Sequence, residues 1–254
     1  MKVFVCRGGT EDIASCIYDA WEWSLSHRGE ALRIIREPLI QHSLFDEYVY
    51  TRTDTEKAAK VISSVQKKIS FEACLAFCYG TLCQYDVSDD LYRFLQIGFR
   101  EGKKVMEMQT EPSVLRILKA YRNVGNELHK TKGFARFDSA EGKLLVCHLE
   151  PKNHILSLLA EHFSDRMPSL HWMIIDDKRK LAAVHPADSE FYLYGLNEKE
   201  IKALSRTERM HDPCRLIWKS FFEAVSIKER ENDRLQRSLF PLWARKHATE
   251  FRKP

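Results

Sequence analysis

The hydrophobic period of this chain switches from helical to strand-like at Lys132-Gly133, and that switch constrains the fold more than any single motif. Before it, apolar residues recur at three- and four-residue spacing, which places them on one face of a helix. Ile13, Cys16, Ile17, Ala20 and Trp21 follow this rule, as do Ala58, Val61, Ile62, Val65 and Ile69. Leu91, Phe94, Leu95, Gly98 and Phe99 repeat it, and so do Val114, Ile117, Leu118, Tyr121 and Leu128 behind a start at Thr110-Glu-Pro. Short strands are predicted at Val3–Cys6, Ala31–Arg36 and Tyr48–Thr53, with Thr10 as N-cap of the first helix. After Gly133 the pattern shortens to that of strands. Phe134–Phe137 and Leu144–Leu149 read as a hairpin turning at Glu141-Gly142, and His171–Ile175 and Leu181–Val184 as a second one around Asp176-Asp177-Lys178. Between them, Asn153 is a candidate cap for a helix whose inner face is Ile155, Leu158, Leu159, His162 and Phe163.

The expected fold class is therefore α+β: a helix-rich N-terminal half, a central antiparallel ββαββ unit, and a helical C-terminal segment ending in a basic tail. A boundary near 130 would divide the 254 residues into a mainly helical 1–130 and a sheet-bearing 131–254. No linker rich in Pro, Gly or Ser marks it, so one continuous domain stays open. In the last third, Cys214, Ile217, Trp218, Phe221, Phe222 and Val225 form an apolar stripe at helical spacing, which reads as core.

Composition narrows the function classes. Hydrophobic residues at 44% and charged residues at 30% fit a globular protein. No apolar run approaches the roughly 18–20 residues needed to cross a bilayer, and the N-terminus lacks a secretory core, so a cytoplasmic protein without membrane contact is expected. Among seven cysteines, Cys74, Cys78 and Cys83 cluster, but their spacing lacks a fourth ligand. Buried free thiols are the simpler reading, and neither a metal nor a cofactor is expected. Phosphate loops, dinucleotide fingerprints, HExxH and nucleophile elbows are absent from the sequence. The Gly8-Gly9-Thr10 turn offers backbone amides to a phosphate, although a tight strand-to-helix turn explains two glycines as well.

Net charge is +4, and its distribution matters more than its size. Arg234, Arg237, Arg245, Lys246, Arg252 and Lys253 outnumber one acid, Glu250, from Arg234 onward. If Lys228–Leu239 is helical, Arg230, Arg234 and Arg237 share a face suited to a phosphate backbone, and Asn232 and Gln236 can reach base edges. A solvated face pairing with Glu229, Glu231 and Asp233 is the alternative. In the centre, Glu127 and His129 are candidate acid–base residues, but two positions apart on a helix they point roughly 200° from each other. Arg136, Arg166 and Arg179 are candidate phosphate ligands, and Trp172 a candidate stacking surface. Arg166 has Asp165 to neutralise it, and Asp176 with Arg179 reads equally as a turn ion pair.

Three stretches carry a resemblance: Val124-Gly-Asn-Glu-Leu-His-Lys with Lys132-Gly-Phe-Ala-Arg-Phe137; His162-Phe-Ser-Asp-Arg-Met-Pro with Trp172-Met-Ile-Ile-Asp176 and Arg179; and Asn232-Asp-Arg-Leu-Gln-Arg, then Pro241, then Thr249-Glu-Phe251. Together they resemble a bacterial family of DNA-metabolism or DNA-repair proteins with no assigned reaction. That family is associated with a radical-SAM DNA-repair protein, and a related domain is fused to a uracil-DNA-glycosylase-like domain. The resemblance implies a DNA-binding accessory or repair protein acting with the radical-SAM partner. An enzyme acting on DNA or a modified base through Glu127 and His129, and a protein-binding adaptor, are the rival expectations. The order Leu242-Trp243-Ala244-Arg245-Lys246 departs from the aromatic and basic run usual after the proline in that family.

Overall fold

The structure is a computed structural model that describes residues 1–38, 42–140, 144–200, 217–218, 220–221, 224–225, 232–240, 242–248 and 251. It contains helices and sheets in the expected α+β mixture. The chain divides into two compact units. Unit 1 comprises Met1–Asn126 with Lys152–His154, and unit 2 comprises Glu127–Pro151 with Ile155–Pro254. Among the described residues, no helix is long and apolar enough to cross a membrane.

Unit 1 is built on a three-stranded parallel sheet in the order β2-β1-β3. β1 (Lys2–Cys6) lies at the centre, between β2 (Leu32–Arg36) and β3 (Glu47–Tyr50). Parallel neighbours need a crossover, and α1 (Thr10–Ser26) supplies it between β1 and β2. Val3–Cys6 is buried throughout, as expected of a central parallel strand covered on both faces. The helices α2 (Thr55–Lys68), α3 (Phe71–Thr81), α4 (Ser88–Glu101) and the start of α5 (Pro112–Phe134) complete the core, which gathers Phe4, Ile13, Ile17, Ile34, Phe77, Leu91, Phe94 and Ile117. Sequence-local caps fix two of these helices. Asp54 accepts from the Glu56 and Lys57 amides, and Ser70 from the Ala73 amide. Gly98 permits the tightest helix contact, since a Cβ there would stand 2.6 Å from Ile69 Cδ1.

The cap expected at Thr10 belongs instead to Gly9, and Thr10 is the first helical residue, its hydroxyl 2.7 Å from that of Thr81. Asn153 does not cap a helix either. It is buried, accepts from the Gln84 amide at 2.9 Å and donates to Asn123 Oδ1 at 2.8 Å. Burial of the amide outweighs the local capping preference, because each of its polar ends needs a partner.

Unit 2 carries a five-stranded sheet in the order β4-β5-β6-β7-β8. Its strands are β4 (Asp138–Ala140), β5 (Leu144–Leu149), β6 (Trp172–Asp176), β7 (Leu181–His185) and β8 (Tyr192–Gly195). α6 (Leu156–Arg166) connects β5 to β6 and packs against β6 and β7. The sheet is mixed rather than antiparallel, for β5 and β6 pair in parallel, with Leu149 opposite Asp176. A helix between two adjacent strands carries the chain back to the starting edge, so this connection dictates a parallel pair. The strand expected at Phe134–Phe137 is also corrected. Gly133 keeps a helical φ, α5 runs on to Phe134, and the strand begins at Asp138. Phe137 instead packs its ring 4.9 Å from that of Phe163 on α6.

Beyond β8, α7 (Asp233–Leu239) and the short α8 (Leu242–Arg245) are described. α7 starts at Asp233 and is capped by Asn232, which accepts from the Leu235 amide at 3.0 Å. Arg230, Lys228, Glu229, Glu231, Pro241, Glu250, Arg252 and Lys253 lie outside the described residues, as do Cys214 and Phe222. The remaining members of the apolar stripe are exposed rather than core: Ile217, Trp218, Phe221 and Val225.

Candidate functional site

The parallel pair β5 and β6 brings two strand carboxyl ends to the same edge of the unit 2 sheet. Glu150 follows the first strand and Asp177 the second, and the Asp177 amide donates to Leu149 O at 3.0 Å. The pleat sets what faces this edge. His148 and Glu150 are two apart on β5 and its extension, hence on one face. His148 is buried, and its Nδ1 donates to Asp177 Oδ1 at 2.8 Å. The C-terminal tail completes the group. Ala248, fully buried, anchors it, and the two preceding side chains meet Glu150. Lys246 Nζ forms an ion pair with Glu150 Oε1, and His247 Nε2 lies 3.9 Å from the same oxygen. Ligand atoms of Glu150, Asp177 and His247 all fall within 4.8 Å of one another.

Exposure is graded across this cluster. The Glu150 side chain is 37% exposed, Asp177 19%, His247 13% and His148 5%. A ligand arriving from solvent therefore meets Glu150 and Lys246 first, with the imidazoles and Asp177 behind them. Two carboxylates and two imidazoles beside an ammonium can move protons, hold an anion, or bind a cation. The carboxyl edge of a parallel strand pair is also where α/β sheets place ligands.

A match to the family described as a domain of unknown function, DUF4130, spans residues 86–250. The chain belongs to the DUF4130 family. The matched segment contains every member of the cluster, whereas β1, β2 and β3 precede it. Comparison with curated proteins finds no match.

The residues expected from sequence occupy different surroundings. Glu127 is buried and His129 exposed on opposite sides of α5, because the helix persists past both, so the structure does not bring this acid–base pair together. Trp172 offers no stacking surface. It is fully buried, with its ring parallel to His185 at 4.6 Å. Arg179 donates to Asp176 Oδ2 at 2.7 Å and Pro151 O at 3.1 Å, tying the hairpin tip to the end of β5. Arg136 donates to the Gly133 and Ala135 carbonyls at the end of α5 and lies 5.4 Å from the Trp218 ring. Arg166 is exposed in the last turn of α6.

In the tail, Arg234 and Arg237 are exposed on α7 and form no ion pair among the described residues. Arg245 is turned inward. Its Nε donates to Phe240 O at 3.1 Å, its Nη2 to Gln236 Oε1 at 3.2 Å, and its guanidinium lies 4.5 Å from the Phe251 ring. Gln236 is thereby engaged away from any base edge, and Asn232 is the α7 cap. Of the expected residues that are described, only Lys246 joins the cluster. The alternation His148-Leu149-Glu150 at a strand end was the available signal for the others, but it acquires meaning only once β5 and β6 are parallel.

The thiols are quiet. Six free cysteines are described, and burial, then neighbouring Cys74, pushes Cys78 up to about 12. Burial likewise raises Cys74, so neither thiol is an activated nucleophile at neutral pH. In unit 1, α1, α2 and α4 enclose a groove of about 530 Å³ lined by Trp21, Val61, Leu95 and Phe99, with Glu22 and Lys60 among its polar residues. It is mainly apolar and lacks the mixed acid and imidazole set found in unit 2.

Proposed function

We propose that this chain is a DNA-metabolism enzyme acting on DNA or a modified base, with its reaction centre at the strand ends of unit 2. The observation that carries this reading is the convergence of Glu150, Asp177 and His247 from three separate stretches of chain. Glu150 is the exposed acid–base group, and Lys246 beside it meets the negative charge of a phosphate or of a developing oxyanion. Asp177 orients His148 through Nδ1, and His247 supplies a second titratable group next to Glu150. The nucleic-acid part of the reading is supported by the family resemblance and by the exposed Arg234 and Arg237. The same resemblance supplies a radical-SAM DNA-repair protein as the working partner.

The test is turnover of single- and double-stranded DNA carrying modified bases, with and without that partner. Glu150→Gln is expected to keep DNA affinity and lower the rate by about 100-fold or more, the usual range for a lost general acid or base. Wild-type protein that binds DNA in a salt-dependent manner but never turns it over would favour a second reading, the DNA-binding accessory. Arg234 and Arg237 support that alternative directly. Their joint replacement by Gln is expected to reduce the salt slope by roughly 1.4–1.8, at 0.7–0.9 per phosphate contact. Absence of DNA binding at low salt would remove both readings and leave the adaptor.

A further inference from the structure

We propose that Glu150, Asp177 and His247 form a binding site for one first-row divalent cation, of which Mn²⁺ is the defining probe. The proposal rests on the strand-end cluster being the reaction centre and adds a cofactor class that the sequence spacing did not suggest. Three donor groups lie within 4.8 Å of one another, close enough for a cation bonded at about 2.0–2.2 Å to each after a small closing movement. Two carboxylate oxygens and one imidazole nitrogen form a mixed hard and borderline set, which suits Mn²⁺ or Zn²⁺ better than a soft thiolate metal.

The surroundings fit a ligand set held from outside. Asp177 accepts from His148, the type of outer hydrogen bond that orients a metal-bound carboxylate. Its backbone is pinned to β5 through Leu149 O, and His247 adjoins the buried Ala248, so two of the three donors sit on anchored chain. Glu150 is the most exposed of the three donors, and its open side gives a cation a route in. Lys246 is the rival occupant. Its ammonium already compensates one of the two carboxylates, and a purely structural cluster would stop at that ion pair and the His148 hydrogen bond. Its side chain is 62% exposed on a flexible stem, free to swing to solvent when a divalent ion arrives. Lysine and metal thus compete for Glu150, and this competition fixes the sign of one test.

Mn²⁺ is titrated into the EDTA-stripped full chain without DNA, with free ion followed by electron paramagnetic resonance. Mn²⁺ is chosen because thiols do not compete for it. One equivalent per chain is expected for the wild type. Glu150→Gln and His247→Gln should each weaken binding at least ten-fold at unchanged circular dichroism, while Lys246→Met should tighten it. The proposal is overturned if no saturable equivalent binds, if both ligand variants bind as the wild type does, or if Lys246→Met weakens binding. Because DNA is absent, failure here leaves the DNA reading intact, and failure to bind DNA leaves the metal result intact.

Discussion

Both units contain parallel strands, and the carboxyl ends of those strands are finished in opposite ways. In unit 1 the two amides directly after β1, those of Arg7 and Gly8, are consumed internally. Asp12, buried in the first turn of α1, accepts from the Arg7 amide and from the Gly8 amide at 2.9 Å, and from Thr53 Oγ1 at 2.8 Å. Gly8 and Gly9 both have positive φ, which an L side chain adopts only with strain, so the glycines serve the turn itself. A phosphate-binding turn of this kind needs free amides, and here a carboxylate of the chain already fills it. In unit 2 the corresponding edge carries Glu150 and Asp177 toward solvent, with the tail laid beside them. Position at a strand end therefore does not make a site. What distinguishes the two is exposure: Asp12 is buried in its turn, whereas Glu150 stays partly open to solvent.

The largest effect expected concerns Trp172, which the sequence offered as a nucleic-acid stacking surface. Trp172→Ala should destabilise unit 2 by about 3–5 kcal/mol, the usual loss for a fully buried Trp or Phe truncated to Ala. Urea unfolding followed by near-ultraviolet circular dichroism measures it. A folded variant of wild-type stability that had lost only DNA affinity would contradict the packing role assigned here.

Asp12→Ala tests the closed end of the comparison. Removing the carboxylate takes away the acceptor of two backbone amides and of the Thr53 hydroxyl in this part-buried turn, and each hydrogen bond to a charged group contributes about 1.5–3 kcal/mol. A loss of at least about 2 kcal/mol is expected from the same unfolding measurement. Should stability hold and phosphate binding appear instead, the turn would be a ligand site that Asp12 gates, and the contrast between the units would collapse.

Glu150→Gln should show the reverse profile. Its carboxylate is partly exposed, so stability should change by less than about 0.5 kcal/mol while turnover and cation binding fall. If this variant is destabilised as much as Asp12→Ala, the cluster is scaffold that docks the tail.

The contrast was only half visible in the sequence. Element type followed from local periodicity: β1 to β3, α1, α2, α4, α5, β5, β6 and β7 announce themselves by spacing. Strand direction did not, because ββαββ was read as two hairpins when its helix is a crossover between adjacent strands. That single topological fact creates the edge where Glu150 and Asp177 meet. Buried polar residues were equally hard to read. Asn153 has the profile of a cap, yet its partners Gln84 and Asn123 are remote in sequence. Basic residues in the tail looked alike, but Lys246 pairs with Glu150, Arg245 turns to Phe240 and Gln236, and Arg234 and Arg237 stay on the surface. Charge is legible in a sequence, whereas the partner that spends it is set by tertiary structure.

The smallest expected effect separates a surface histidine from the strand-end imidazoles. His162 lies half-buried on α6, and burial lowers its proton affinity from the usual 6.5, helped by the nearby charges of Lys132 and Arg166 and opposed by Asp165. The unfolded chain therefore takes up a proton first as pH falls. Below about 6.5 the unfolded state binds more protons than the folded one, so this residue's contribution to stability declines through the window from 6.5 down to its lowered folded value. Above that window the contribution is constant. His162→Gln removes the titration, and the stability difference between wild type and variant should shift against the wild type on going from pH 8 to pH 5. The shift is expected to be small, since the ring is partly open to solvent and its charged neighbours are screened there. Urea midpoints across that range at fixed ionic strength measure it. A shift in favour of the wild type at low pH would mean that protonated His162 is stabilised in the fold, and that Asp165 rather than Lys132 and Arg166 governs it.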